Sequence, residues 1–219
     1  FTEKESMNWF VQNISTAIGK KLLMAITGLG FVGFIAVHLA GNLTFYFGKD
    51  AFLHYVETLH ALGPVIVIVE LVLLALAVIH VSTGTILFIG NLRARKTRYT
   101  VSKSAGGRTI GSRTMPYTGF LILLFVILHL SQFHFIDTTQ QTPYDAAVST
   151  FGNIFYALIY IGAVILVGIH IRHGFWSLFQ SLGLNHEKYM PALRAVGIAF
   201  AVAAAVGFAF IPIYIRAVT

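Results

Sequence analysis

The sequence contains no cysteine and few charged residues. Without cysteine, these 219 residues cannot hold a thiolate-bound iron–sulfur cluster, a covalently attached c-type haem or a disulfide. Any redox centre bound to them must rely on histidine, of which there are nine. Charged residues make up 11% of the sequence, far below the roughly 25% of an ordinary soluble domain. This shortage excludes a conventional water-soluble fold.

Apolar residues dominate what remains. Hydrophobic residues make up 57% of the sequence, and the mean hydropathy is +0.79. Five apolar stretches, each near the ~20 residues that span hydrocarbon as a helix, predict membrane helices at about 22–47, 63–90, 116–136, 152–180 and 192–216. We therefore predict an all-α integral membrane protein whose single domain, residues 1–219, is a five-helix bundle. The first twenty residues are polar and lack a small-residue cleavage site, so we expect no cleaved signal peptide there.

Charge is distributed unevenly between the loops. The loop between the second and third predicted helices carries seven basic residues and no acid: Arg93, Arg95, Lys96, Arg98, Lys103, Arg108 and Arg113. The loops on the opposite side are net acidic, with Lys49, Asp50, Glu57, Asp137 and Asp145. The positive-inside rule then predicts a cytoplasmic N-terminus and an external C-terminus. Topology accounts for the net charge of +7, and without a basic soluble domain we expect no nucleic-acid partner.

Four of the histidines belong to a repeated pattern. Its first element recurs 91 residues later and its second element recurs 90 residues later. The first element is Thr27, Gly28 and His38, repeated as Thr118, Gly119 and His129; the second is His80 and Gly84, repeated as His170 and Gly174. Ionisable residues are costly inside a membrane and are usually functional there. The matched positions therefore indicate a binding site.

Helix geometry converts these spacings into depths. At 1.5 Å per residue along helices of alternating direction, His38 and His129 lie in the outer half of the membrane. By the same count His80 and His170 lie in the inner half, roughly 16 Å away. The sequence thus predicts two pairs of histidines, an outer pair and an inner pair, stacked across the membrane.

Small residues accompany each pair. Gly84 and Gly174 follow their histidines by four residues and so share the same helix face. Thr27 and Thr118, with Gly28 and Gly119 beside them, precede the outer histidines by eleven residues, or about three turns, which puts them at the inner level. Two axial imidazoles beside glycines that admit a macrocycle are typical of a b-type haem in a helix bundle.

Other interpretations compete with haem. A single histidine in a membrane helix more often forms a hydrogen bond to a neighbouring helix, but the duplicated pairing favours ligation. Zinc prefers three or four converging ligands, which two histidines per level do not supply. The glycines could serve only close helix packing, and the small residues of the fifth helix are expected to do that.

Several motifs along the chain form a set that is specific only in combination. They are Ile18-Gly19-Lys20-Lys21-Leu22-Leu23-Met24-Ala25, Thr27-Gly28-Leu29, His38-Leu39, Gly41-Asn42, Thr118-Gly119, His129-Leu130, and His170 with Gly174, Trp176 and Gly183. With this set the chain resembles, over nearly its whole length, the di-haem cytochrome b membrane subunit of succinate:quinone oxidoreductases, a group that includes succinate dehydrogenases and fumarate reductases with one five-helix anchor.

The resemblance implies several functional properties. Two haems b would be bound, one by His80 and His170 near the cytoplasmic face and one by His38 and His129 farther out. The chain would anchor a flavoprotein containing FAD and an iron–sulfur subunit on the cytoplasmic side of a bacterial inner membrane. It would pass electrons between the iron–sulfur subunit and a quinone, expected to be menaquinone, without touching succinate or fumarate. Lipid contact and a higher oligomer of the complex fit this assignment.

Three positions that bear on the site lie within three residues of His170: Gly168, Arg172 and His173. His173 lies only three residues from His170, but His170 fits both the Gly174 spacing and the family pattern. His173 and Arg172 are then candidates for haem propionate contacts or for interfacial anchoring. Some fumarate reductases carry a glutamate, proposed to move protons, two residues before this histidine, whereas this chain has Gly168. A transmembrane proton route in this chain would therefore use other residues.

One acid lies inside an apolar run. Glu70 falls roughly 8 Å from the outer end of the second predicted helix, and a carboxyl group at that depth must be paired or protonated. Quinone binding or proton exchange is one interpretation, and a structural hydrogen bond is the other. The remaining histidines and one further acid are expected at surfaces or interfaces: His54, Glu57, His60, His134 and His186.

Two rival functions remain open. The cytochrome b subunit of a formate dehydrogenase or hydrogenase would also bind haem between helices, and its partner subunits would distinguish it. A proton-linked transporter, from a different class, would use the histidines and Glu70 as a relay. A visible spectrum would distinguish the transporter from a cytochrome, because a transporter of this kind would be colourless.

Overall fold

The chain folds into long helices joined by short ones. A computed structural model describes residues 3–94 and 110–218. The helices are α1 (Glu3–Ser15), α2 (Ala17–Leu43), α3 (Lys49–His60), α4 (Pro64–Arg93), α5 (Ile110–Phe133), α6 (Pro143–Gly152), α7 (Ile154–Ser181) and α8 (Met190–Val218), with a 3-10 helix at Thr44–Phe47. Five of them, α2 with its 3-10 extension, α4, α5, α7 and α8, are long and apolar enough to cross a membrane. The predicted all-α membrane bundle is confirmed.

Helix ends differ from the predicted ones where polar side chains cap them. α2 begins at residue 17 instead of 22 because the Thr16 hydroxyl accepts a hydrogen bond from the Gly19 N–H at 3.0 Å. α7 begins at Ile154 because the Asn153 side chain accepts from the Phe155 N–H at 2.9 Å. α5 begins at 110 instead of 116, and Pro116 lies inside it. Bundled membrane helices tolerate such a proline because neighbouring groups satisfy the freed backbone.

Two short helices occupy the connections on one side of the bundle, which we call the α3/α6 end. His54, Glu57 and His60, which we expected at a surface or interface, lie on α3, and all three are exposed. Gly48 and Gly63 flank α3 with φ values of 97° and 54°, which side chains other than glycine rarely adopt. The opposite side is the basic-loop end. Its residues Arg95, Lys96, Arg98, Lys103 and Arg108 lie outside the described residues.

Four of the membrane helices form a ring. α2 packs beside α4 and α7, and α5 packs beside α7 and more lightly beside α4. α2 therefore faces α5 across the ring, and α4 faces α7. α8 lies outside the ring against α7 and α2. The four histidines of the repeat are distributed one to each ring helix, so each predicted pair spans a diagonal.

Small residues bring α8 close to its neighbours. Ala201 and Ala204 are buried, and a Cβ built on Gly168 of α7 would lie 3.0 Å from the Ala205 Cβ and 3.2 Å from the Ala201 carbonyl oxygen. A side chain at position 168 would therefore press on α8, which would have to move by a few tenths of an ångström.

The α3/α6 end is closed by aromatic stacking and one ion pair. The buried ring of Phe45 stacks on Tyr144 with ring centres 4.4 Å apart. Lys49 Nζ lies 2.7 Å from an Asp145 carboxylate oxygen. Hydrogen bonds from Lys49 and then from the Thr142 hydroxyl lower the pKa of Asp145. These contacts hold the 3-10 helix and the start of α3 against α6.

Candidate functional site

The inner pair joins α4 to α7. The ring centres of His80 and His170 are 6.4 Å apart, and their planes are inclined by 61°. His173, the alternative three residues on, points elsewhere: its ring contacts Trp176 at 5.1 Å, and a Cβ on Gly111 would lie 2.8 Å from its Nδ1. The structure therefore brings His170, and not His173, beside His80.

A threonine hydroxyl contacts each inner histidine. Thr27 Oγ1 lies 2.9 Å from His80 Nδ1, and Thr118 Oγ1 lies 3.1 Å from His170 Nδ1. Both threonines are buried. The two elements of the sequence repeat thus meet in space: the threonine comes from α2 or α5 and the histidine from the next ring helix that packs beside it.

The glycines divide into two groups. Gly28 and Gly119 lie against the inner imidazoles, since a Cβ on Gly28 would be 3.8 Å from His80 Cε1 and a Cβ on Gly119 would be 3.5 Å from His170 Cε1. These two glycines therefore leave the edge of each ring accessible.

Gly84 and Gly174 face methionines instead. A Cβ on Gly84 would lie 3.6 Å from Met24 Cε, and one on Gly174 would lie 3.9 Å from Met115 Cε. A macrocycle held beside these glycines would contact two flexible thioether side chains, which adapt readily to new packing. The sequence analysis did not single out Met24 and Met115 as site residues, although they too are 91 residues apart.

The outer pair joins α2 to α5 in an aromatic environment. His38 and His129 have ring centres 5.9 Å apart and nearly perpendicular planes, at 88°. Phe34 stacks on His38 at 5.1 Å, and Tyr160 lies 6.0 Å from His129. Among the described residues, His129 Nδ1 is buried without a hydrogen-bond partner. The outer pair therefore lacks the threonine contacts of the inner one.

Both separations suit two imidazoles that share one metal. A metal–imidazole bond is about 2 Å long, so two rings on opposite sides of one ion have centres about 6 Å apart once the ring radius is added. The observed 6.4 and 5.9 Å match this spacing. Within residues 3–94 and 110–218, no group of three or more His, Cys, Asp or Glu side chains could hold a metal. Two ligands per level fit a haem, whose macrocycle supplies the other donors.

Helix geometry also gives the separation of the two levels. On α2, Thr27 contacts the inner pair and His38 belongs to the outer one, eleven residues later. α5 repeats this arrangement with Thr118 and His129. Eleven residues of helix correspond to ~16 Å. The pairs are therefore stacked along the bundle and do not form one cluster.

Glu70 lies near a histidine that the sequence analysis had assigned to the surface. Its carboxylate Oε1 is 3.8 Å from His134 Nδ1, and the two side chains are 47% and 44% exposed. Glu70 is six residues from the start of α4, or ~9 Å along the helix. The pair therefore lies on the outer surface of the ring, between α4 and the end of α5. His186 and Arg172 are exposed.

The fold and these pairs define the chain as a multi-pass helical membrane protein with two stacked histidine pairs inside one ring of helices. Comparison with protein-family models, with curated proteins and with solved structures found no match. The function is therefore inferred from the site.

Proposed function

We propose that this chain is the membrane anchor and electron-transfer subunit of a succinate:quinone oxidoreductase, and that it binds two haems b. The observation that carries the proposal is the pairing of four histidines across the ring diagonals, with ring centres 6.4 and 5.9 Å apart. When bound, the haems supply one-electron redox chemistry, and the chain supplies their position, axial ligands and surroundings. His80 and His170 would hold one haem, and His38 and His129 the other.

The ~16 Å between the two levels suits a relay across the membrane. The inner pair lies toward the basic-loop end, where we expect the iron–sulfur and flavoprotein partners. The outer pair lies toward the α3/α6 end. Electrons from the partners would pass through the inner site first and reach a quinone beyond the outer one. In this arrangement neither succinate nor fumarate contacts the chain.

A quinone must also exchange protons, which calls for a titratable group open to the lipid. Glu70 meets this requirement because it is 47% exposed and its carboxylate faces His134 at 3.8 Å. We propose that this carboxylate exchanges protons with the quinone, expected to be menaquinone. The haem sites do not depend on this assignment.

The proposed function is tested by finding which substrate donates electrons to the haems. The chain is tagged and purified with its bound partners from its native membrane, and succinate, formate and hydrogen are added separately while the visible spectrum is followed. We expect succinate alone to reduce the haem absorbance. Reduction by formate or hydrogen would assign the chain to the corresponding cytochrome b class. A colourless preparation would contradict both assignments.

A further inference from the structure

The threonine contacts bear on which nitrogen of each inner histidine carries the proton. A threonine hydroxyl has one proton to donate and lone pairs that accept. The Thr27 hydroxyl lies 2.7 Å from the Leu23 carbonyl oxygen, which can only accept. Leu23 is its shortest contact. A proton directed to Leu23 leaves the same oxygen to accept a hydrogen bond from His80 Nδ1 at 2.9 Å.

The second copy has the same arrangement. The Thr118 hydroxyl lies 3.1 Å from the carbonyl oxygens of Thr114 and Met115 and 3.1 Å from His170 Nδ1. With the hydroxyl proton directed to a backbone carbonyl in both copies, each histidine would donate from Nδ1. A neutral imidazole with its proton on Nδ1 has a free lone pair on Nε2, the form that binds a metal through Nε2.

We propose that Thr27 and Thr118 are positioning residues that hold His80 and His170 in the Nδ1–H tautomer, so that Nε2 is ready to bind metal. Hydrogen bonds of this kind orient a ligating histidine and raise its basicity. The outer pair differs: among the described residues His129 Nδ1 has no partner, and the side chain that approaches the ring nitrogens of His38 is the Asn42 amide, at 3.5 Å. The inference rests on the proposed haem function only for the identity of the metal.

Removing the hydroxyl without changing the side-chain shape tests the proposal. In Thr27→Val and Thr118→Val we expect inner-haem affinity to fall roughly 10- to 100-fold. The midpoint potential of that haem should rise, because a less basic imidazole stabilises ferric iron less. Thr27→Ser and Thr118→Ser, which keep the hydroxyl, should restore both properties. The outer haem serves as an internal reference.

A matched control is Thr83→Val, which changes another buried threonine on α4. Within the described part of the chain no hydrogen bond joins Thr83 to a histidine, so this variant should leave the inner haem unchanged. Valine variants at 27 and 118 with wild-type haem affinity and potential would overturn the proposal. An effect of equal size in Thr83→Val would also overturn it, because the change would then reflect packing alone.

A second measurement does not depend on haem. Nitrogen-15 NMR of the haem-free chain, labelled at histidine and embedded in lipid bilayers, distinguishes a protonated from an unprotonated ring nitrogen. We expect His80 and His170 to be protonated at Nδ1, and Thr27→Val to relax this preference at His80 alone. Protonation at Nε2 in the unaltered chain would overturn the inference. A colourless protein with Nδ1 protonated would instead support the inference and contradict the haem function.

Discussion

Removing one histidine of a pair should abolish one haem and leave the other intact. His80 and His170 face each other with ring centres 6.4 Å apart, and an iron between them needs both imidazoles. His80→Ala and His170→Ala should therefore each lose the inner haem, which is half of the total haem absorbance. The double variant should lose no more than either single one. His38→Ala and His129→Ala should remove the other half.

The assay is the reduced-minus-oxidised spectrum together with the haem-to-protein ratio of each purified variant. His173→Ala is the matched control because its ring contacts Trp176 and occupies the space where a Gly111 side chain would stand; it should keep both haems. Free imidazole added to His80→Gly should restore the inner haem by occupying the vacated ligand position. The reasoning would be refuted if His80 and His38 variants lost the same spectral component.

Three further predictions concern the surfaces of the bundle. Glu70→Gln, which cannot ionise, should slow quinone-linked succinate oxidation but keep both haems and the rate with a soluble dye; full quinone activity would refute the site, and loss of the outer haem would make this residue structural. A reporter fused after Arg98 should read as cytoplasmic and one near Asp145 as external, and the reverse result would exchange the inner and outer assignments. Because Lys49 and Thr142 lower the pKa of Asp145 from 3.8, its carboxylate stabilises the folded chain at neutral pH, and this contribution is lost as the pH falls through the lowered value. Asp145→Asn should therefore melt at a lower temperature than the unaltered chain at neutral pH, with the difference vanishing in strong acid; a difference that persists there would rule out the charge as its cause.

The sequence repeat predicted which positions lie at one depth because helices of fixed rise convert residue number into height. Hydropathy located the five membrane helices for a similar reason, since each must fill the same hydrocarbon thickness. From the sequence we predicted only that Thr27 and His80 lie at the same depth, and not that they are in contact. The hydrogen bond itself depends on how α2 and α4 rotate against each other, and spacing alone does not contain that rotation.

Local sequence patterns did not predict the features that depend on contacts between residues far apart in the chain. α3 and α6 are too short for a hydropathy signal and are held together by contacts such as Lys49 with Asp145. His134 is 64 residues from Glu70 in the chain, so its approach to that acid follows from the packing of the ring helices. Met24 and Met115 could have been found from the repeat, since they keep its 91-residue offset.

The most direct test of the two-haem assignment is the amount of haem b per chain. The purified protein is extracted with acidified acetone, and the haem released is measured as its pyridine complex against protein determined by amino-acid analysis. We predict two haems per chain, both extractable because the chain has no cysteine to bind them covalently. A ratio of zero would contradict the function proposed here, and a ratio of one would contradict the pairing of all four histidines.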